Sequence, residues 1–224
     1  MITVKPMPAQ VAREELELLA GLDPADIGHI RYWGMVGGLQ AVVPGKRVVG
    51  TAVTVVLPAF DSAMIPYVMG MVRPGDFLIV DRLGDMRHAC VGGVVALAAK
   101  IAGVTGIAVD GLIGDPDEIR ECDMPVWSRG ATAMVSKALA VGGAINIPVV
   151  CGGVAVCPGD AVLADESGIC IMNAEEIREI SAVIAPRAQG RPARLARIRA
   201  GEKLGVVNGV TAKVERAIAS QGKL

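Results

Sequence analysis

Residues 92–115, GGVVALAAKIAGVTGIAVDGLIGD, decide the fold class and carry most of the candidate chemistry. Two glycines open a run of small apolar residues, an apolar strand-like run follows, and the stretch closes on a glycine and an aspartate. We predict a helix over 92–103, a strand over 106–110 and a second helix over 116–122. Helices interleaved with strands in this way are typical of a layered α/β domain.

The glycine pair Gly92 and Gly93 is a candidate anion site. A helix that begins at a diglycine leaves backbone N–H groups unpaired at the positive end of its dipole, which suits an anionic oxygen. Glycine also permits close backbone approach. Helix–sheet packing or a turn would explain the same two residues. The pair therefore indicates a site only in combination with Asp115, one helix and one strand further along.

Asp115 is the leading candidate for chemistry, since a carboxylate delivered into a loop at a strand end suits a hard divalent cation. The alternative is that Asp115 caps the following helix, for which aspartate is a preferred residue and Pro116 a typical first helical residue. The local sequence by itself favours the cap. Both roles are compatible only if one oxygen caps and the other reaches a metal ion.

Charged residues just before the diglycine supply a candidate cation. Such a cluster is by default a solvated loop, but Arg87 or His88 would be placed to face an acid bound at residues 92–95, and arginine is the better carboxylate partner. We expect Arg120 to pair with acids on its own helix. The sequence leaves open whether three further residues line a cleft or play structural roles: Arg129, Trp33 and His29.

An internal repeat organises the rest of the chain. The segments VRPGDFLIVDRLGD (72–85) and VCPGDAVLADESG (156–168) share Pro-Gly-Asp followed by a β-rich run, and VPGKRVVGTAVTV (43–55) is a partial third copy. Proline then glycine fits the centre of a type II turn, and a strand should follow each turn. We expect Asp76 and Asp160 to close these turns and not to take part in chemistry.

The remaining patterns predict a mixed α/β sheet fold in a single domain over 1–224, with a core of about 25–204 and a peripheral N-terminal helix and C-terminal tail. We expect helices over 9–20, 61–71, 174–185 and 191–200, and a polar tail over 202–224 that follows the surface or caps a neighbouring subunit. The expected strands are 47–57, 77–81, 125–128, 147–155, 161–165 and 169–172.

Composition excludes several classes of partner. The net charge is −1 and aromatic residues make up 3% of the chain, so neither a basic face nor a stacking platform for nucleic acid is expected. The uncharged run 138–157 is long enough to span a membrane, but its glycines and β-branched clusters read as buried strands. Five cysteines without a C-x-x-C pair, and no signal-peptide pattern, indicate reduced thiols in a cytoplasmic protein.

The order of several motifs resembles the RraA-like family. These are A-x-x-G-G at 89–93, G-V-x-G-x-x-x-D-G at 103–111, P-V-x-x-R-G at 125–130, and the later Gly-Gly-Val and Pro-Gly-Asp segments. The resemblance covers roughly residues 25–204. That family includes 4-hydroxy-4-methyl-2-oxoglutarate/4-carboxy-4-hydroxy-2-oxoadipate aldolases and the ribonuclease regulator that gives it its name.

The resemblance implies an α/β/β swivelling-domain sandwich that forms homotrimers or homohexamers with sites between subunits. It implies a lyase that uses Mg²⁺ or Mn²⁺ to act on a 2-oxo acid through a pyruvate enolate, the Lewis-acid role of a metal. Asp115 would hold the metal ion. The backbone amides of four residues would bind substrate oxygens: Gly92, Gly93, Val94 and Val95.

The chain departs from the aldolase pattern at two places. Gly114 stands where the aldolases carry an arginine that grips the substrate, and residues 186–200 contain no acid to match the glutamate that the aldolases donate across the subunit interface. The loss of the arginine should weaken catalysis strongly unless Arg87, His88 or an arginine of 187–199 replaces it.

Three functions follow from these observations. The first is a metal-dependent carbon–carbon lyase, an aldolase or an oxaloacetate-type decarboxylase, with Asp115 and Arg87 as catalytic residues. The second is a non-catalytic regulator of the ribonuclease-inhibitor type, for which the missing arginine argues. The third is a metal enzyme that acts on a different substrate, because a fold does not fix a reaction.

Overall fold

The computed structural model describes residues 1–221 as helices α1–α8 and strands β1–β12. The helices are α1 (Arg13–Ala20), α2 (Pro24–Gly28), α3 (Met64–Met69), α4 (Gly93–Ile101), α5 (Pro116–Glu121), α6 (Ile177–Arg199), α7 (Leu204–Val207) and α8 (Val210–Gln221). The strands are β1 (Ile2–Val4), β2 (Met35–Val36), β3 (Gln40–Ala41), β4 (Val48–Val56), β5 (Asp76–Asp81), β6 (Gly106–Ile113), β7 (Val126–Ala131), β8 (Gly143–Ile145), β9 (Val149–Cys151), β10 (Val154–Val156), β11 (Ala161–Asp165) and β12 (Gly168–Met172).

A mixed sheet forms the centre of the fold. Its main path runs β2-β12-β11-β4-β5-β6-β7-β3, and β8 joins β4 while β1 pairs with β8. The four strands from β4 to β7 are parallel, whereas β11, β12, β2 and β3 pair antiparallel with their neighbours. Parallel strands place their carboxyl ends at one edge of the sheet, so the loops after β5 and β6 meet there.

Both faces of the sheet are covered, as continuous apolar runs in parallel strands require. On one face, alternate residues of β4, β5 and β6 pack against α3, α4 and α5. On the other, the intervening residues pack against the antiparallel hairpin β9–β10. This arrangement confirms the predicted layered α/β/β sandwich with a mixed sheet.

The two Pro-Gly-Asp segments form the turns that their sequence predicts. Gly75 and Gly159 have φ of 92° and 96°, and the N–H of Asp76 donates to the carbonyl of the residue three positions earlier, as does that of Asp160. Asp76 is fully buried and accepts hydrogen bonds from Arg73 within its own turn. The prediction that these two aspartates close turns is confirmed.

Several element boundaries differ from the predicted ones. The single strand predicted over 147–155 is wrong, because Gly152 and Gly153 take φ of 53° and 82° and turn the chain back as the hairpin β9–β10. A side chain at Gly152 would also meet the carbonyl oxygen of Gly37, 2.4 Å from the Cβ position. Strand β11 has the predicted bounds, and β6 extends three residues beyond its predicted end.

The described chain divides into two compact units, Met1–Ser181 and the residues from Ala182 onward. The predicted break between two C-terminal helices is wrong, because α6 continues through Pro186 and Pro192. Alanine and arginine, both strong helix formers, fill most of the intervening positions and favour the continued helix. The polar tail predicted over 202–224 contains α7 and α8. Within residues 1–221, no helix combines the length and the apolarity that a membrane crossing requires.

Candidate active site

A cleft of about 220 Å³ lies at the carboxyl edge of the parallel strands. The loop after β6 forms one side of the cleft and the N-terminus of α4 forms the other. The Gly114 N–H donates to the Val91 carbonyl oxygen over 2.8 Å and ties the two segments together. The cleft walls include Gly92, Val94, Val95 and Asp115. The diglycine and the aspartate therefore meet in one cleft, as the sequence indicates.

Asp115 has an unusual backbone for a residue before a helix. Its φ of 46° and ψ of 51° are left-handed, whereas a capping residue normally has an extended backbone. The Asp115 side chain makes no capping hydrogen bond to α5. The capping role that the local sequence favours is therefore wrong, and the carboxylate points elsewhere. A non-glycine residue held in this conformation at a loop carries strain, which clusters at functional sites.

The Asp115 carboxylate faces the first amides of α4. Its Oδ2 lies 3.4 Å from the backbone nitrogen of Gly93, at the positive end of the helix. A Cβ on Gly92 would lie 2.4 Å from the same oxygen, so only glycine leaves the carboxylate room there. Val94 and Val95 follow in the first turn, where N–H groups have no intrahelical acceptor.

Gly93 has a different neighbour. A Cβ at this position would lie 2.0 Å from Glu118 Oε2 and 2.5 Å from Glu118 Cβ, so α4 and α5 approach each other closely at this point. Packing therefore explains Gly93, while the approach of a carboxylate explains Gly92. The two glycines that the sequence presents as one motif perform two distinct tasks.

Gly114 leaves open space in the cleft wall. A Cβ there would meet only the Cβ of Ala89, at an ordinary 3.6 Å. Crowding at the Cβ position therefore does not account for the glycine. No basic side chain is among the described residues that line the cleft.

The charged segment before the diglycine lies outside the cleft lining. Arg87 is exposed, and its backbone N–H donates to the Asp85 carboxylate over 3.1 Å. His88 Nδ1 lies 3.1 Å from Asp85 Oδ2, and the buried Arg82 donates to the same oxygen over 2.6 Å. Burial raises the pKa of Asp85, but the hydrogen bonds from Arg82, Arg87 and His88 outweigh it and leave the pKa below its usual value.

The other sequence candidates have partners elsewhere. Arg120 pairs with Asp117 on α5 over 2.7 Å, as predicted. Arg129 pairs with Asp110 over 2.5 Å. Trp33 lines a separate cleft near β12 and His29 is exposed.

Two residues that the sequence did not single out also line the cleft, Ser62 and Ser136, and Cys90 lies beside them. The Ser136 hydroxyl donates to the Ala89 carbonyl oxygen over 2.7 Å, and burial raises the pKa of the Cys90 thiol to about 11, so the thiol is neutral at physiological pH. No local pattern marks Ser62 or Ser136, because segments distant from the diglycine bring them in.

The fully buried Asp61 organises that side of the cleft. Its carboxylate accepts N–H bonds from Ala63, Leu139 and Val141 at 2.7–3.0 Å, which joins the segment before α3 to the segment before β8. Burial raises the pKa of Asp61, but these backbone hydrogen bonds outweigh it and hold the pKa below its usual value. The position of Ser62 therefore depends on a buried carboxylate next to it.

The donor set fits a Mg²⁺-type ion better than a closed metal cage. Among residues 1–221, no three His, Cys, Asp or Glu side chains are grouped to share a metal ion. Asp115 offers one uncapped carboxylate in a cleft that also has room for water and substrate oxygens. Mg²⁺ commonly binds through one or two carboxylates and keeps several waters, so a single aspartate is sufficient as its protein ligand.

The layered fold and this cleft define a class of α/β protein with a carboxylate set against a helix N-terminus. Comparison with protein families assigns residues 27–171 to the RraA-like family, described as Aldolase/RraA. The chain belongs to the RraA-like family.

Curated relatives carry aldolase names. A putative 4-hydroxy-4-methyl-2-oxoglutarate aldolase of Halalkalibacterium halodurans is 36% identical over 126 residues, which cover 56% of this chain and 60% of that protein. The 4-hydroxy-4-methyl-2-oxoglutarate aldolase of Thermus thermophilus is 34% identical over 113 residues, or 50% of this chain and 68% of that protein. Both relatives are named as aldolases, and each match covers only part of either chain.

A solved structure from a protein family named for inhibition of a ribonuclease is also similar to this chain. Streptomyces coelicolor RraAS2, described as an unusual member of the RNase ES inhibitor RraA protein family, superposes with a TM-score of 0.73 at 27% identity. The superposition covers 87% of this chain and all of that chain. The chain is therefore similar both to proteins named as aldolases and to a protein named within an inhibitor family.

Proposed function

We propose that the protein is a divalent-metal-dependent lyase that acts on a 2-oxo acid by retro-aldol cleavage or oxaloacetate-type decarboxylation and releases pyruvate. The observation that carries this proposal is the Asp115 carboxylate, which occupies a strained left-handed position without capping α5 and accepts a long hydrogen bond from the Gly93 N–H at the start of α4. A carboxylate placed in this way is available to a cation. The aldolase names of the relatives support the same reaction class.

The residues of the proposed site have separate roles in substrate binding and metal binding. The amides at Gly92, Gly93, Val94 and Val95 would bind the carboxylate oxygens of the substrate at the positive helix end. Asp115 would hold Mg²⁺ or Mn²⁺, which as a Lewis acid supplies polarisation of the 2-oxo group. Arg87, exposed outside the cleft lining, would act only if its loop moves, so we assign it a secondary part.

The test is release of pyruvate from oxaloacetate and from 4-hydroxy-4-methyl-2-oxoglutarate with Mg²⁺ or Mn²⁺. We expect turnover that needs the metal ion and that Asp115→Ala abolishes. Asp117→Ala is the matched control, because this acid is two residues away, exposed, and paired with Arg120 outside the cleft. Equal activity of both variants, or no turnover of any 2-oxo acid, would overturn the proposal.

A second candidate function is regulation of a ribonuclease. The absence of a basic residue from the described cleft lining favours it, because an anionic substrate then lacks a side-chain cation. The likeness to RraAS2 adds support. Inhibition of an RNase E-type ribonuclease by the purified protein, undiminished by Asp115→Ala, would favour regulation over lyase activity.

Further proposals concern the whole protein. We propose a cytoplasmic homotrimer or homohexamer whose partner is a small 2-oxo acid and neither nucleic acid nor membrane, and which folds as one RraA-like domain with a peripheral tail. The exposed apolar side chains of Val94, Leu97 and Ile101 share one face of α4 beside the cleft and support self-association. Light scattering of the purified protein tests the oligomeric state.

A further inference from the structure

The walls of the cleft are apolar and hydroxylic, with a single negative charge. Val94, Val95 and Val135 line the cleft, and their side chains offer contact to aliphatic groups. Ser62 and Ser136 offer hydroxyl groups, and the Cys90 thiol is neutral because burial raises its pKa to about 11. Asp115 is the one ionised side chain among the described lining residues.

The charge of the cleft accommodates one substrate carboxylate. With a divalent cation on Asp115, the first carboxylate of a 2-oxo acid brings the site to neutrality and also meets the amides of α4. A second substrate carboxylate would find no basic side chain on the described walls and would give the site a net negative charge beside Asp115.

The polar groups that are present suit a neutral substituent. The Ser136 hydroxyl already donates to Ala89, so its oxygen is left to accept a hydrogen bond from a substrate hydroxyl. Ser62 adds a second hydroxyl on the same side of the cleft. The cleft volume of about 220 Å³ leaves room for a small branched acid.

We propose that the site, given the lyase function proposed above, takes 4-hydroxy-2-oxo monocarboxylic acids with a short aliphatic group at C4 in preference to dicarboxylic ones. Cleavage breaks the C3–C4 bond, the C4 hydroxyl loses its proton to leave a carbonyl, and C3 gains a proton to give pyruvate. The second product is a neutral ketone or aldehyde. The specificity would come from Val94, Val135 and the absence of a side chain at Gly114.

Two substrates that differ at a single group test this inference. In 4-hydroxy-4-methyl-2-oxopentanoate a methyl group replaces one carboxylate of 4-hydroxy-4-methyl-2-oxoglutarate, and its products are pyruvate and acetone. We expect kcat/KM with Mn²⁺ to favour the methyl compound at least about tenfold. A preference for the dicarboxylate, or cleavage of neither compound, would overturn the inference.

A variant pair tests the cause of the preference. Gly114→Arg adds a cation at a position where a Cβ would meet only Ala89 at 3.6 Å, and Gly114→Gln adds a long side chain without charge. We expect Gly114→Arg alone to shift the kcat/KM ratio at least about tenfold towards the dicarboxylate. The same shift in both variants would show that bulk and not charge sets the preference, which contradicts the charge argument.

A separate measurement distinguishes failure of this inference from failure of the proposed lyase function. Exchange of the pyruvate methyl protons with deuterium, followed by NMR with Mn²⁺, requires only the half-site that binds pyruvate. Exchange that Asp115→Ala abolishes, together with a preference for the dicarboxylate, would overturn the inference and leave the lyase function standing. No exchange and no cleavage would overturn both.

Discussion

Replacing Asp115 with glycine should separate its strained backbone from its carboxylate. The left-handed φ of 46° costs an L-residue about 1–2 kcal/mol that glycine avoids. Against this gain stand the lost carboxylate at the α4 N-terminus, about 0.3–1 kcal/mol, and the greater freedom of glycine in the unfolded chain, about 0.5–1 kcal/mol. We therefore expect Asp115→Gly to match the natural protein in unfolding free energy within about 1 kcal/mol.

Asp115→Ala is the informative comparison for this prediction. Alanine keeps a Cβ in the left-handed conformation and also loses the carboxylate, so we expect it to be about 1 kcal/mol less stable than Asp115→Gly. In a chain of this size that difference lowers Tm by about 2–4 °C. Thermal unfolding followed by circular dichroism with a chelator present measures this difference.

Addition of Mn²⁺ extends the same experiment to the carboxylate. A metal ion at a hundred times its Kd stabilises the folded state by about 2.7 kcal/mol. We expect this gain only in the natural protein, because both variants lack the carboxylate. An equal Mn²⁺ shift in all three proteins would refute the assignment of the metal to Asp115, and an Asp115→Ala protein as stable as Asp115→Gly would refute the strain argument.

Three further predictions concern the fold. Gly106→Ala places a Cβ 2.4 Å from the Phe77 ring and should lower the free energy of unfolding by about 1–3 kcal/mol, whereas Gly28→Ala, with open space, should not lower it in the same denaturant titration. Because the folded pKa of Asp61 lies below its unfolded value, its stabilising contribution is present above about pH 4 and is lost as the pH falls through the folded pKa. Asp61→Asn should therefore unfold more easily at neutral pH and lose part of the acid sensitivity, measured by urea unfolding across pH. The buried Cys90 should resist iodoacetamide at about pH 8 until the protein is unfolded, as peptide mass spectrometry would report.

Local sequence patterns predicted the parts of the fold that depend on local rules. The Pro-Gly-Asp turns follow from the fixed φ of proline and the freedom of glycine, and the strand over 161–165 follows from its apolar run. The hairpin at Gly152 also has a local signal, because a Gly-Gly pair between two β-rich runs is typical of a two-residue hairpin turn, and the prediction of a single strand overlooked it. The turn additionally fits against the backbone of Gly37 in a distant segment. Local propensity carries no information about such a contact.

In the candidate site, too, local sequence predicted some features, whereas others depend on backbone conformation or distant contacts. The meeting of Gly92 with Asp115 was predictable, since the order of strand, helix and turn brings both to one edge of a parallel sheet. The backbone conformation of Asp115 was not, because the same Asp-Pro pair is typical of a capped helix. The contribution of Ser62 depends on the buried carboxylate of Asp61, whose three N–H partners lie both next to it and far along the chain. The contribution of Ser136 depends on its hydrogen bonds to Ala89, 47 residues earlier.

In the proposed site, the groups that bind the 2-oxo acid part of a substrate differ from the position that would set substrate preference. The amides of α4, the room left by Gly92 and the turn at Asp115 belong to the backbone and depend on packing around β6. Gly114 is independent of both the backbone turn and the packing, since a Cβ at this position would meet only Ala89 at 3.6 Å. A change at Gly114 should therefore alter which substrates are accepted while the fold and the metal carboxylate stay in place. If Gly114→Arg instead lowered the free energy of unfolding or abolished Mn²⁺ binding, position 114 would be part of the scaffold, and its glycine would need a structural explanation.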